Sequence, residues 1–302
     1  MIGSGGSRLR WDELPPPVRG WVGEVLGAPV VDAVSQPGGF SPGSADRVRT
    51  VAGTRAFVKA VSAEQNPDSP PMHRREARVA AALPPELPAP RLLGSYDVGG
   101  WVALVFADVD GRAPRLPWQR DELAAVLDAL AVLADAPCPV PDLMPARERV
   151  GPMFAGAHRL AADGVPVAGL DLQALVGPAL DALDGDTLVH VDLRADNVLL
   201  TGDGAVLVDW PHACRGPAWL DTLLLLIEVD RFGGHDVDAL LAAHPATRGV
   251  EPAILDGALA GCLGFFLDQA RRPAPPGLPR IREFQQVQAD ALLAWLHRRL
   301  DR

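Results

Sequence analysis

The stretch LVHVDLRADNVLLTGDGAVLVDW, residues 188–210, gathers the residue types that phosphoryl chemistry needs. It spaces His190, Asp192 and Asn197 as H-x-D-x-x-x-x-N, and Asp209 follows twelve residues after Asn197 behind a GDG turn. Moving a phosphoryl group to a hydroxyl needs a carboxylate to accept or align that hydroxyl, and an Asn and an Asp to hold Mg²⁺. A short loop closed by a hairpin puts these three groups at one point. H-x-D-x-x-x-x-N alone recurs by chance, and the hairpin with Asp209 behind it makes the pattern specific. The plainer reading is that Asp192 and Asp196 only cap a loop.

A second residue stands out by its rarity. TRAFVKAVS, residues 54–62, contains Lys59, the only lysine of the chain against 27 arginines. Four Ile, two Asn and one Tyr point to a GC-rich genome, in which a surface lysine drifts to arginine at little physical cost. A lysine kept in an apolar, strand-like run suggests work for a slim ammonium that a planar guanidinium does not do. A snorkelling surface lysine is the plain alternative.

The elements that must position these groups follow from periodicity and turn residues. A helix is expected over about 15–26, with Trp11, Leu14, Val18, Trp21, Val22 and Val25 along one side. APVVDAVSQ reads as a strand, PGGFSPGSA as a glycine-rich turn, and DRVRTVA and RAFVKAV as a hairpin around GT. NPDSPP reads as a breaker-rich loop, MHRREARVAAAL as a helix, and RLLGSYDV and WVALVFA as a second hairpin around GG. From Trp118 the texture turns helical, with helices around 120–136, 145–163 and 170–184. They resume at 217–230, 236–243, 252–271 and 280–300 after the two short apolar runs of the 188–210 stretch.

These motifs resemble those of the aminoglycoside phosphotransferase and choline-kinase-like family, small-molecule relatives of protein kinases. The resemblance runs from about Val30 to the C-terminus. It implies an α+β, protein-kinase-like bilobal fold: a small antiparallel five-stranded N-lobe with one helix, about 1–107, and a larger, mainly helical C-lobe, 108–302. By resemblance Asp192 is the catalytic base, Asn197 and Asp209 hold Mg²⁺, and His190 anchors the loop. Arg194 either meets the transferred phosphate or pairs with Asp196. Lys59 grips the phosphates of ATP, with GTP also open, and is oriented by Glu76, 17 residues further on, with Glu64 in the intervening loop as the competing partner. Gly39 and Ser41 belong to the phosphate-covering loop, although Gly38, Gly39 and Gly43 do not match G-x-G-x-x-G. In VFADVDG, 105–111, the backbone of Ala107 and Val109 would bind adenine. Trp210-Pro211 replaces the usual Phe-Gly, Val191 stands where Gly or Asn is common, and Asp221 would brace the catalytic loop.

Charge bears on the acceptor. Residues 1–105 sum to +1 and residues 106–302 to −11, within a net charge of −10. An acidic half disfavours nucleic acid and anionic lipid and suits a cationic ligand, although a solubilising surface is the bland reading. Asp230, Asp268 and His212 are the candidate substrate contacts. An aminoglycoside or other antibiotic fits, and so do choline, an amino sugar or an amino alcohol; a silent pseudokinase is the reading from another class. No run of eighteen apolar residues is present, so no membrane partner is expected. Three widely spaced cysteines suit a reducing, cytoplasmic setting, and a monomer or homodimer is expected.

Overall fold

The computed structural model describes residues 8–36, 43–275 and 280–301. The chain divides into two compact units. One comprises the residues before 114 together with 196–212, and the other 114–195 with 213–302.

In the first unit β1 (Val30–Ser35), β2 (Ser44–Thr50), β3 (Arg55–Ser62), β4 (Leu92–Val98) and β5 (Trp101–Ala107) form one antiparallel sheet, ordered β1-β2-β3-β5-β4. Ala56, Val58 and Ala60 of β3 face helix α1 (Pro16–Leu26), whose Val18 and Val22 are buried against the sheet. Phe57 packs on the opposite face with Leu104, Phe106 and Ala80 of helix α2 (Ser69–Ala82). Side chains two apart in a strand share a face, so Lys59 points the same way as Phe57. The β4–β5 hairpin turns on Gly99 and Gly100, with φ of 62° and 81°, the left-handed conformation that a two-residue hairpin turn demands.

Helix α2 begins at Ser69, inside the stretch expected to be a breaker loop. Pro70 and Pro71 are tolerated in its first turn, where the backbone N–H has no intrahelical partner. Asn66 Oδ1 accepts the N–H groups of Asp68 at 2.8 Å and Ser69 at 3.2 Å, fixing the start.

Later in the chain come β6 (Thr187–Val189), β7 (Val198–Thr201), β8 (Gly204–Leu207) and β9 (Cys214–Gly216). The β7–β8 hairpin groups with the sheet unit. Arg112 and Leu200 exchange backbone bonds of 3.0 and 2.7 Å, and Leu207 N–H donates to the Pro88 carbonyl at 2.7 Å. A Cβ on Gly111 would sit 2.9 Å from the Leu200 carbonyl oxygen, so only glycine allows this approach.

The second unit is helical: α3 (Arg120–Asp135), α4 (Ala146–Arg149), α5 (Gly151–Phe154), α6 (Gly156–Ala162), α7 (Leu172–Leu175), α8 (Gly177–Asp181), α9 (Trp219–Phe232), α10 (Val237–Ala243), α11 (Pro252–Ala270) and α12 (Ile281–Leu300). Where unbroken helices were expected at 145–163 and 170–184, short segments appear. Pro152 and Pro178, at the starts of α5 and α8, cannot donate to the preceding turn. Strands β6 and β9 pair with each other in this unit. Helix α11 is long and apolar enough to cross a membrane by length and composition. Here it is a core helix, with Ala258, Leu259, Ala260 and Leu263 fully buried. It lies so close to α6 that a Cβ on Gly156 would meet the Gly264 carbonyl oxygen at 2.6 Å.

Candidate active site

Lys59 is the hub of the first unit's pocket. Its Nζ donates to Glu76 Oε1 at 2.7 Å and to Asp209 Oδ1 at 2.6 Å. Glu64, the competing partner, is exposed. Burial opposes the ammonium charge, but the Asp209 and Glu76 carboxylates outweigh it and hold the Lys59 pKa above the ordinary lysine value. His73 lies in the same wall, and burial together with the Lys59 charge pushes its imidazole down to about 4. The pocket holds about 440 Å³ and is also lined by Ala107, Val109, Asn197 and Asp209.

Asn197 and Asp209 come together through the β7–β8 hairpin. Val208 N–H donates to the Asn197 carbonyl at 2.9 Å, so Asp209 begins where the pairing ends. Asn197 is buried, whereas the Asp209 side chain is 41% exposed. Asp209 has a φ of 71°, a left-handed conformation that Asp tolerates better than most residues. An amide oxygen and a carboxylate are hard donors of the kind Mg²⁺ takes, with phosphate and water oxygens completing its shell. The residues fit the ion. Trp210, fully buried, anchors the next position by donating its indole N–H to the Leu207 carbonyl at 2.9 Å.

In the second unit the loop after β6 is held by carboxylates of α9. Asp221 accepts the N–H groups of His190 at 2.7 Å and Val191 at 2.9 Å. Burial pushes its carboxyl up to about 7, against the pull of those two bonds. They hold Val191 at a φ of 73°, a strained position for a β-branched residue and one suited to Gly or Asn. Val191 is half-buried rather than a core residue, so the departure noted in the sequence acts through the backbone. Glu228, two turns along α9, accepts the Ala195 N–H at 2.8 Å. Between these anchors Asp192 Oδ1 accepts from Arg194 Nη1 at 2.8 Å, a partner for Arg194 that the spacing did not suggest. His190 is buried, and its Nδ1 lies 3.3 Å from the Asp192 backbone N–H.

Other expected residues are placed differently. Gly39 and Ser41 lie outside the described residues. Gly43 lines the pocket, and a Cβ there would meet the Ala60 carbonyl oxygen at 2.4 Å. His212 is half-buried and is not among the pocket-lining residues. Asp230 is ion-paired with Arg298 at 2.5 Å. Asp268 is fully buried beneath Arg159, Arg271 and Arg272, at 2.7 to 2.8 Å. Its carboxyl is thereby held at about 2 despite the burial. Both its oxygens are spent on guanidinium groups, which speaks against binding a cationic ligand.

Sequence reasoning missed the clamp on the 105–111 segment. Asp108 accepts Arg47 Nε at 2.7 Å, Arg47 Nη2 at 2.9 Å and Arg55 Nε at 2.9 Å, while Arg47 also reaches the Val109 carbonyl at 3.1 Å. Arg47 and Arg55 lie eight residues apart across a hairpin, and nothing in their spacing announces a common partner.

Comparison with known proteins bears on what this arrangement is. No curated protein sequence matches the chain significantly. Among solved structures, a thermostable mutant of the aminoglycoside phosphotransferase APH(4)-Ia, in a ternary complex with ADP and hygromycin B, is similar at 17% identity. Its TM-score is 0.57 over 92% of this chain and 98% of that one. The choline kinase LicA of Streptococcus pneumoniae is 12% identical with a TM-score of 0.58, over 92% and 98%. A choline/ethanolamine kinase family protein of Mesorhizobium loti is 16% identical with a TM-score of 0.55, over 85% and 88%. At such identities the likeness shows the fold, which is α+β and protein-kinase-like. The family model described as "Phosphotransferase enzyme family" matches residues 39–254, well over half of the chain. On that match, the chain belongs to the phosphotransferase enzyme family.

Proposed function

We propose that the protein uses ATP and Mg²⁺ to phosphorylate a hydroxyl of a small cationic molecule, an aminoglycoside or another antibiotic. The observation that carries this reading is Lys59 held between Glu76 and Asp209 in the wall of the pocket. The acceptor class is supported by the acidity of residues 106–302 and by the hygromycin B bound in one similar structure. The choline kinases of the same fold make choline or an amino alcohol the alternative acceptor.

In this reading Ala107 and Val109 meet the adenine, Lys59 binds phosphate oxygens, and Glu76 keeps the ammonium aimed into the pocket. Asn197 and Asp209 would hold Mg²⁺, which when bound neutralises charge on the phosphates. Asp192 accepts the proton of the acceptor hydroxyl as its oxygen bonds to the γ-phosphorus and the bond to the β-phosphate oxygen breaks, releasing ADP. Arg194 holds the Asp192 carboxylate in place. Much of the rate comes from positioning and fixed charge. The work is placed in the cytoplasm, which supplies ATP and keeps Cys138, Cys214 and Cys262 as the free thiols they are.

The test is an acceptor panel with Mg²⁺ and either ATP or GTP, read as a phosphate-sized mass gain. Gain on an aminoglycoside with ATP is expected. Gain confined to choline, an amino sugar or an amino alcohol would move the acceptor to the alternative class. No gain on any acceptor would make the protein a silent binding module.

A further inference from the structure

Arg8 reaches the pocket from the segment ahead of α1, far in sequence from the other residues around Lys59. Its neighbours Leu9 and Trp11 pack against a cluster containing Ala60 and Ala103, which seats the segment on the sheet. Arg8 Nη1 donates to the Gln36 carbonyl at 3.1 Å, just past the end of β1. The side chain lines the same pocket as Ser44, Lys59 and Asp209. Asp209 and then Asp46 are the carboxylates whose charge acts on the guanidinium. Asp46 is fully buried and accepts hydrogen bonds from the hydroxyls of Ser35 and Ser44.

The charge inventory explains why a second cation is needed there. Of the other cations lining the pocket, Lys59 already faces two carboxylates, Arg47 is spent bidentately on Asp108, and Arg112 donates to the Ala113 carbonyl at 3.3 Å. A triphosphate brings several negative charges to a site whose lysine is thus largely neutralised. A guanidinium carries five N–H donors, arranged in a fork that matches phosphate oxygens.

We propose that Arg8 is a phosphate-binding residue of the nucleotide site, the second cation beside Lys59. This rests on the ATP-dependent reading above. The structural alternative is that Arg8 only serves as counter-ion to the buried Asp46 and fastens the segment.

The test uses the full chain, wild type against Arg8→Met and Arg8→Lys. Each is titrated calorimetrically with Mg²⁺ plus AMP-PNP and, separately, with adenosine, and each is melted. Arg8→Met is expected to weaken AMP-PNP binding by about tenfold or more. Adenosine affinity should stay within about twofold, and Arg8→Lys should fall between. Unchanged AMP-PNP affinity in Arg8→Met would overturn the proposal. So would an equal loss for both ligands with a lowered Tm, which marks a structural prop. Failure of wild type to bind AMP-PNP at all would instead overturn the ATP reading on which the proposal stands.

Discussion

Lys59 Nζ and Asp209 Oδ1 lie 2.6 Å apart although 150 residues separate them in the chain. The cation proposed for the phosphates and the carboxylate proposed for the metal thus neutralise each other, with Glu76 Oε1 at 2.7 Å as the ammonium's second partner. The Glu76 side chain is 2% exposed and depends on Lys59 for its charge balance. Lys59→Met is therefore expected to lower stability by about 3 kcal/mol, the cost of a buried charge left alone. Adding Glu76→Gln should recover most of that loss. Urea unfolding of the three proteins checks this, and a Lys59→Met protein as stable as wild type would refute the dependence.

Lys59→Arg preserves the charge and asks whether shape matters. A planar, bidentate guanidinium on β3 would move the phosphates away from their in-line position. We expect kcat/KM to drop more than about tenfold with the far-ultraviolet spectrum unchanged. A near-wild-type enzyme would reduce the lone lysine to coincidence.

His73 should shape the acid limb of the stability curve. Its folded pKa of about 4 lies below the ordinary value of 6.5, because of burial and the Lys59 charge. A depressed histidine pKa gives stability that is present above pH 6.5 and is lost as pH falls towards 4. The full loss is about 3 kcal/mol. The buried Asp221 carboxyl, raised to about 7, acts in the opposite sense over this range, so the readout is the difference. His73→Phe should gain about 3 kcal/mol on wild type between pH 6.5 and 4, as measured by urea midpoints at stepped pH. A midpoint curve as steep as that of wild type would show that His73 is not the group responsible.

Val191 holds a left-handed backbone that its branched side chain resists. Val191→Asn should keep the two bonds from Asp221 while relieving that strain, raising stability by about 1 kcal/mol. A thermal melt reads the change, and a fall in Tm would mean that packing of the Val191 side chain outweighs the strain.

Asp221 should act on rate rather than on nucleotide affinity. Both its oxygens accept backbone N–H groups of the loop that carries Asp192, and an Asn would turn an NH₂ towards one of them. Asp221→Asn should lower kcat by about 100-fold with AMP-PNP affinity within about twofold. An unchanged kcat would remove Asp221 from the positioning of Asp192.

Much of this architecture was legible because it rests on short-range chemistry. The β2–β3 and β4–β5 hairpins announced themselves through GT and GG between apolar runs, and the pairing of Lys59 with Glu76 followed from the family resemblance. Where helices are broken by Gly151-Pro152 and Gly177-Pro178, periodicity outran the local backbone constraint and suggested continuity. The clamp of Arg47 and Arg55 on Asp108 was illegible because it depends on a register across β2 and β3. Asp268 illustrates the converse. A buried acid on an apolar helix invites a ligand in sequence, but Arg271 and Arg272, three and four residues on, and the distant Arg159 had already taken it.

The proposed reaction turns on Asp192. The decisive measurement compares wild type and Asp192→Ala, with Mg²⁺ and ATP, on the acceptor that wild type phosphorylates best. Mass spectrometry follows the phosphate-sized gain, and calorimetry follows AMP-PNP binding. Loss of transfer with AMP-PNP affinity kept within about twofold is the expected result, since in the proposed mechanism Asp192 meets the hydroxyl and not the nucleotide. Transfer by Asp192→Ala at the wild-type rate would contradict it.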